Sequence, residues 1–152
     1  MATYLADTNL LLRLADPASP QHRVATLALA RLIGQGDEVF LTPQNFIEFW
    51  AVATRPLEVN GFGWTSERTA REVIELQKRF PLLADSPDIF TRWLELVRHL
   101  PVQGKRVHDA RLVAVLQAHA IENLITFNIA DFVAFPSLLV VDPHSLVASP
   151  GK

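Results

Sequence analysis

Thr3-Tyr4-Leu5-Ala6-Asp7-Thr8-Asn9 reads as a buried strand that ends abruptly on a carboxylate. Tyr4, Leu5 and Ala6 form a short apolar run, and Asp7-Thr8-Asn9 follows with three groups able to cap a helix beginning near Leu10. In an open α/β sheet such a strand end is where ligands sit. Asp7 taken alone is equally well explained as a helix cap, so the meaning of the stretch depends on what the rest of the chain brings to it.

Outward from that strand, apolar and polar residues alternate in blocks that predict short strands between helices. Asp16-Pro17 ends the first helix, and Ser19-Pro20 opens a longer one to about Gly34, with Val24, Leu27, Ala28, Leu32 and Ile33 at helical spacing. Val39-Phe40-Leu41 is a second strand. Thr42-Pro43 supplies a cap and a first-turn proline for a helix to about Thr54 that is expected to bury Phe46, Phe49, Trp50 and Ala53. Further helices are predicted from Thr65 or Ser66 to Phe80, from Ser86-Pro87-Asp88 to Leu100, and from Val107 to Ala120. Strands are predicted at Leu82-Leu83-Ala84, Leu124 to Phe127 and Leu138 to Val141. This alternation indicates an α/β fold with a mainly parallel sheet covered on both faces. Without repeats or linkers, residues 1–148 are expected to form one domain and 149–152 a frayed tail.

Composition narrows the functional classes. The 152 residues include no cysteine, which excludes disulfides, thiolate zinc sites and cysteine nucleophiles. No segment approaches the roughly 18 uncharged apolar residues of a membrane span, and no basic region precedes a long apolar run, so a cytoplasmic location is expected. Lys+Arg 14 against Asp+Glu 16 gives a net charge of -2. Nucleic-acid binding, if present, has to come from local patches.

The acids are the informative residues. Asp109 heads a helical face otherwise occupied by Leu112, Val113, Leu116 and Ala120. A carboxylate there needs a helix N-terminus, a basic partner or a cation to offset its burial. Asp7 and Asp131 each follow a predicted strand, and Glu48 lies one turn inside the helix after another, so all four can meet at the carboxyl edge of a parallel sheet. Oxygen-only, charged ligands suit Mg²⁺ or Mn²⁺ better than zinc. Lys105, Arg106 and Arg111, close to Asp109, are candidates for holding phosphates, with a solvated basic loop as the alternative. The histidines, His22, His99, His108, His119 and His144, show no metal-ligand spacing. Phe62, Trp64 and Trp93 have the spacings of core aromatics more than of a base-stacking platform.

Together, Asp7-Thr8-Asn9, Glu48 after Thr42-Pro43, His108-Asp109-Ala110-Arg111-Leu112, and Thr126-Phe127-Asn128 with Asp131-Phe132 resemble a PIN-domain ribonuclease, and more narrowly the VapC-like toxins of toxin-antitoxin pairs. The resemblance runs in order from about Thr3 to Val147. It implies a three-layer α/β/α fold with a five-stranded sheet, and a catalytic, metal-holding set of Asp7, Glu48, Asp109 and Asp131 around Mg²⁺ or Mn²⁺. Asn9, Thr126 and Asn128 would support that set. RNA as substrate, a cognate antitoxin and a homodimer are further implications. The competing expectations are a non-catalytic binding module and a metal-dependent phosphatase using Asp7 as nucleophile. The phosphatase is disfavoured because position 9 is not an acid.

Overall fold

Strand β1 (Thr3–Ala6) lies inside a parallel sheet, between β2 (Glu38–Phe40) and β3 (Asn123–Ile125), with β4 (Leu139–Val141) outside β3. This is seen in a computed structural model that describes residues 1–135 and 137–147. Leu5 pairs with Phe40 on one side and Leu124 on the other, so the ends of β1, β2 and β3 fall along one edge. The expected tail at 149–152 lies outside the described residues.

Period-two alternation divides the core between the two faces of the sheet. Ala6, Val39, Ile125 and the partly buried Tyr4 pack on one face, and Leu5, Leu124 and the partly buried Phe40 and Val140 pack on the other. The first face is covered by α1 (Thr8–Ala15), α2 (His22–Gly34), α3 (Pro43–Thr54) and α4 (Ser66–Arg79), through Leu10, Leu29, Leu32, Phe49 and Leu76. The second is covered by α5 (Ile89–His99) and α6 (Arg106–Ala118), through Ile89, Leu96, Leu112, Val113 and Leu116. The result is three layers, α/β/α.

The fifth strand expected at Leu82-Leu83-Ala84 is reduced to one parallel bridge, Leu41 to Leu82, beside β2. The Leu41 N–H donates to the Pro81 carbonyl (3.0 Å) and the Leu83 N–H to the Leu41 carbonyl (2.7 Å). Pro81 has no N–H, and the turn at Ser86-Pro87 leads the chain away into α5, so the ladder cannot lengthen in either direction. The fifth position is therefore filled without a strand.

Other boundaries moved for similarly local reasons. Helix α2 starts at His22, because Ser19 and Pro20 belong to turns in which the Ser19 N–H bonds to Asp16 and the His22 N–H to Ser19. Helix α6 ends at Ala118, and Ala120 is exposed with φ of 56°, outside the apolar face assigned to it. That helix is buried nearly all round, from Ala110 to Leu116, as expected of a helix under a second helical layer. Trp50 is exposed, and α3 buries Gln44, Asn45, Phe49 and Ala53 instead. A short α7 (Pro143–Val147) after β4 was not foreseen. Phe62, Trp64 and Trp93 are partly buried against the core.

One buried side chain ties the sheet edge to α3. Asn45 is fully buried, completes a capping box with Thr42, and donates to the Ala6 carbonyl (3.1 Å) and Thr8 Oγ1 (3.0 Å). Replacing Asn45 by alanine leaves the buried Thr42 N–H and the Ala6 carbonyl without these partners. The expected cost is about 2–4 kcal/mol, since a buried unsatisfied group costs about 1–3. A lower urea midpoint at unchanged slope checks this; an unshifted midpoint contradicts it.

Candidate functional site

At the carboxyl end of β1, Asp7 is the N-cap of α1, and it is only 8% exposed. Its Oδ1 accepts from the Thr8 N–H (2.8 Å), the first free donor of the helix. Its Oδ2 accepts from Thr126 Oγ1 (2.7 Å), just beyond β3. Asp7 is thus the cap of α1 and is also bonded across the sheet edge to the residue after β3. Burial pushes the Asp7 carboxyl up to about 6, with Glu48 and Asp131 adding to the rise, against the lowering effect of the bonds from Thr126 and Thr8.

Thr126 organises this corner. Its hydroxyl donates to Asp7 and accepts from Asn9 Nδ2 (3.3 Å) and from the Asn128 N–H (3.0 Å). Asn9 Oδ1 in turn accepts from the Phe127 N–H (3.4 Å). Asn9 therefore reaches Asp7 through Thr126, and Asn128 contributes its backbone while its side chain stays exposed.

Glu48 is held at both oxygens. Oε1 accepts from Thr8 Oγ1 (2.7 Å) and Oε2 from Gln44 Nε2 (2.9 Å). Asp109, in the first turn of α6, receives no hydrogen bond among the described residues; its nearest cation is Arg106, with Nε 3.9 Å from Oδ2. Burial pushes the Asp109 carboxyl up to about 7, reinforced by Asp7, Asp131 and Glu48 and opposed by Arg106. Asp131 closes a single 3₁₀ turn (Ile129–Asp131) after β3 and is half-buried.

Glu48 and Asp131 thus lie near enough to Asp7 and Asp109 to add to the rise of both carboxyls, and Asp7 adds to that of Asp109. Among the described residues, no three acidic or imidazole side chains already converge as a ready-made ligand set, so gripping an ion takes side-chain movement. The donor chemistry nonetheless fits Mg²⁺ or Mn²⁺: all ligands are oxygens, Asp109 has its lone pairs free of donors, and the local negative charge exceeds what Arg106 offsets.

The basic candidates separate. Lys105 is exposed at the head of α6; Arg106 donates through Nη2 to the Asp131 carbonyl, bridging the two loops that carry acids; and Arg111 turns to Gln44 Oε1 (3.0 Å) and Asp85 Oδ1 (3.4 Å). Four of the five histidine rings contact an oxygen, His22 at Arg13, His99 at Glu95, His119 at Ala84 and His144 at Asp142. Glu48 borders a cleft of about 340 Å³ that is also lined by Gln44, Ile47, Asp85, His108 and Arg111.

Three contributors escaped the sequence reading: the Thr8 hydroxyl, Gln44 and Asn45. Asn45 had a legible signal, since Thr42-x-x-Asn45 has the spacing of a capping box. Thr8 had none, because Glu48 is remote from it in the chain; Gln44 stands one turn before Glu48 on the same helix, a legible spacing, while its contacts to His108 and Arg111 are remote.

Comparison with known proteins agrees with this architecture. A family model described as the PIN domain matches residues 4–135. Ribonuclease VapC24 of Mycobacterium tuberculosis is 28% identical over 142 residues, covering 90% of this chain and 94% of its own. Among solved structures, VapBC2 from Rickettsia felis bound to a DNA fragment from its promoter superposes with a TM-score of 0.69 at 15% identity, covering 92% of this chain and 98% of that one. A toxin-antitoxin complex from Klebsiella pneumoniae gives 0.65 at 24% identity, covering 92% and 97%. Since that family model covers residues 4–135, most of the chain, the chain belongs to the PIN domain family.

Proposed function

We propose that the protein is a metal-dependent endoribonuclease and the toxin of a toxin-antitoxin pair, acting in the cytoplasm. The carrying observation is that Asp7 and Asp109 are both held above the ordinary carboxylate range, by burial first and then by the charges of the other acids, Glu48 and Asp131 among them. A site that crowds like charges is built for a cation. The name of the similar ribonuclease VapC24 and the similar toxin-antitoxin complex support RNA as substrate and an antitoxin as partner. A homodimer is part of the same reading.

Asp7, Glu48, Asp109 and Asp131 would hold Mg²⁺ or Mn²⁺, with Asn9, Thr126 and Asn128 supporting Asp7. A cation bound there supplies neutralisation of the charge that builds on the phosphate and acidifies an attacking water. The chain's own residues do the rest. Thr126 and Thr8 fix the two oxygens of Asp7, Thr8 and Gln44 fix those of Glu48, and among the described residues Asp109 keeps its oxygens free of hydrogen-bond donors. Lys105 and Arg106, on the exposed side of α6, are placed to meet phosphates of the RNA backbone.

The test incubates the purified protein with defined RNAs in Mg²⁺, Mn²⁺ or chelator, beside an Asp109→Asn preparation. Internal cuts that need the metal and vanish with Asp109→Asn support the proposal; metal-independent cuts shared by both preparations contradict it. Folded protein that binds metal and RNA but leaves every strand intact favours a PIN fold that binds without cutting. Relief of growth arrest by co-expressing a neighbouring DNA-binding protein tests the toxin assignment.

A further inference from the structure

We infer that Arg111 and Gln44 are positioning residues that set the Glu48 carboxylate against Asp109; this rests on the metal-dependent reading above. The Gln44 side chain is nearly buried and touches three partners. Arg111 can only donate, so the amide oxygen of Gln44 must face it, at 3.0 Å. The amide nitrogen then donates to Glu48 Oε2 (2.9 Å) and to the His108 carbonyl (2.8 Å). The reversed amide would set nitrogen against guanidinium and oxygen against both a carboxylate and a carbonyl. Arg111 thus anchors the oxygen side of the orientation that serves Glu48, and the Glu48 and His108 oxygens select the same one.

The guanidinium is in turn held by Asp85, which follows the bridged segment beside β2. A continuous chain of contacts runs from Asp85 through Arg111 and Gln44 to Glu48, with a branch to the carbonyl directly before Asp109. It pins the first turn of α3 to the first turn of α6. Glu48 is gripped from the other side by Thr8, next to Asp7. Its two oxygens are therefore referenced to two different acids on two different helices.

Passing the contact through a neutral amide has a chemical consequence. An arginine placed directly on Glu48 would neutralise the charge that attracts a cation. Through Gln44 the geometry is held and the charge is kept. The same contacts turn both terminal nitrogens of Arg111 toward protein oxygens, a different task from gripping a phosphate.

The test compares wild type with Arg111→Met, Arg111→Lys, Gln44→Met and the Arg111→Met/Gln44→Met double variant, each checked for fold by circular dichroism. Mn²⁺ binding is measured without RNA by the electron paramagnetic resonance of the free ion, and cleavage is measured against Mn²⁺ and RNA concentration. Displacing an outer partner of a metal ligand costs about 10–100-fold in affinity or activity, so each methionine variant is expected to weaken Mn²⁺ binding by on the order of tenfold. The KM for RNA should not change, Arg111→Lys should recover part of the loss, and the double variant should be no worse than either single. Unchanged Mn²⁺ binding in folded Arg111→Met overturns the inference, as does a raised KM with unchanged Mn²⁺ binding, which is the signature of a phosphate grip. If Arg111→Met fails to fold, Gln44→Met decides by the same readouts. A wild type that binds Mn²⁺ while the variants match it sinks only this inference; a wild type that binds none sinks the metal-dependent reading and this inference with it.

Discussion

Asp7→Asn abolishes RNA cleavage and leaves a folded, more stable metal-free protein. The loss should be at least about 100-fold, since even the outer partners of metal ligands are worth 10–100-fold. Asparagine keeps one oxygen to accept the Thr8 N–H, and the Thr126 hydroxyl, which already accepts from Asn9 and Asn128, takes the new amide by giving up its long Asn9 contact (3.3 Å). What disappears is a buried negative charge facing Glu48 and Asp131, whose repulsion contributes to raising the Asp7 carboxyl. Activity and stability therefore move in opposite directions, whereas a purely structural role for Asp7 would lower both. Glu48→Gln and Asp109→Asn should behave alike. Initial rates on a defined RNA, with thermal melts on the same preparations, make the comparison. An Asp7→Asn protein of proven purity that cuts at the wild-type rate removes Asp7 from the site.

The second large effect is a pH dependence of stability that divalent metal reverses. In the folded chain the carboxyls of Asp7 and Asp109 titrate near 6 and near 7, against 3.8 for an ordinary aspartate. Between about pH 4 and pH 7 the folded state holds protons that the unfolded chain has released, so metal-free stability falls as pH rises through this window and levels off above it. A tenfold change in proton affinity is about 1.4 kcal/mol, which makes the share of Asp7 alone about 3 kcal/mol. In a chain of this size that is roughly 6–12 °C in melting temperature. Mn²⁺ at about 100 times its dissociation constant returns ~2.7 kcal/mol at pH 8, where the carboxylates are charged, and less at pH 5, where protons compete. Asp109→Asn flattens both responses. A metal-free melting temperature that is constant from pH 5 to pH 8 and indifferent to saturating Mn²⁺ would falsify the picture of a strained acidic cluster.

The same cluster shows how far local patterns carry. Asp109 heading an apolar helix was legible because helical periodicity is local, and the structure buries that helix from Leu112 to Leu116. The fifth strand was misread because three apolar residues, Leu82-Leu83-Ala84, satisfy a strand pattern whether or not the neighbouring backbone can pair with them. Trp50 was placed inside because its spacing matches Phe46 and Ala53, yet the buried side of α3 is rotated toward Gln44 and Asn45 by their bonds to β1 and α6.

By itself the sequence determined the order of strands and helices, the parallel sheet they imply, and the four acids at its carboxyl edge, because propensity, capping and alternation act over a few residues. Apart from Gln44, one helical turn before Glu48, the side chains that hold those acids were decided by tertiary structure. Thr8 meets Glu48 across 40 positions, Arg111 meets Gln44 across 67, and Thr126 meets Asp7 across 119. Such pairs form only after β1, β3, α3 and α6 have been packed against one another. A hydroxyl or amide then finds its partner through the geometry of the fold, and no spacing along the chain encodes it.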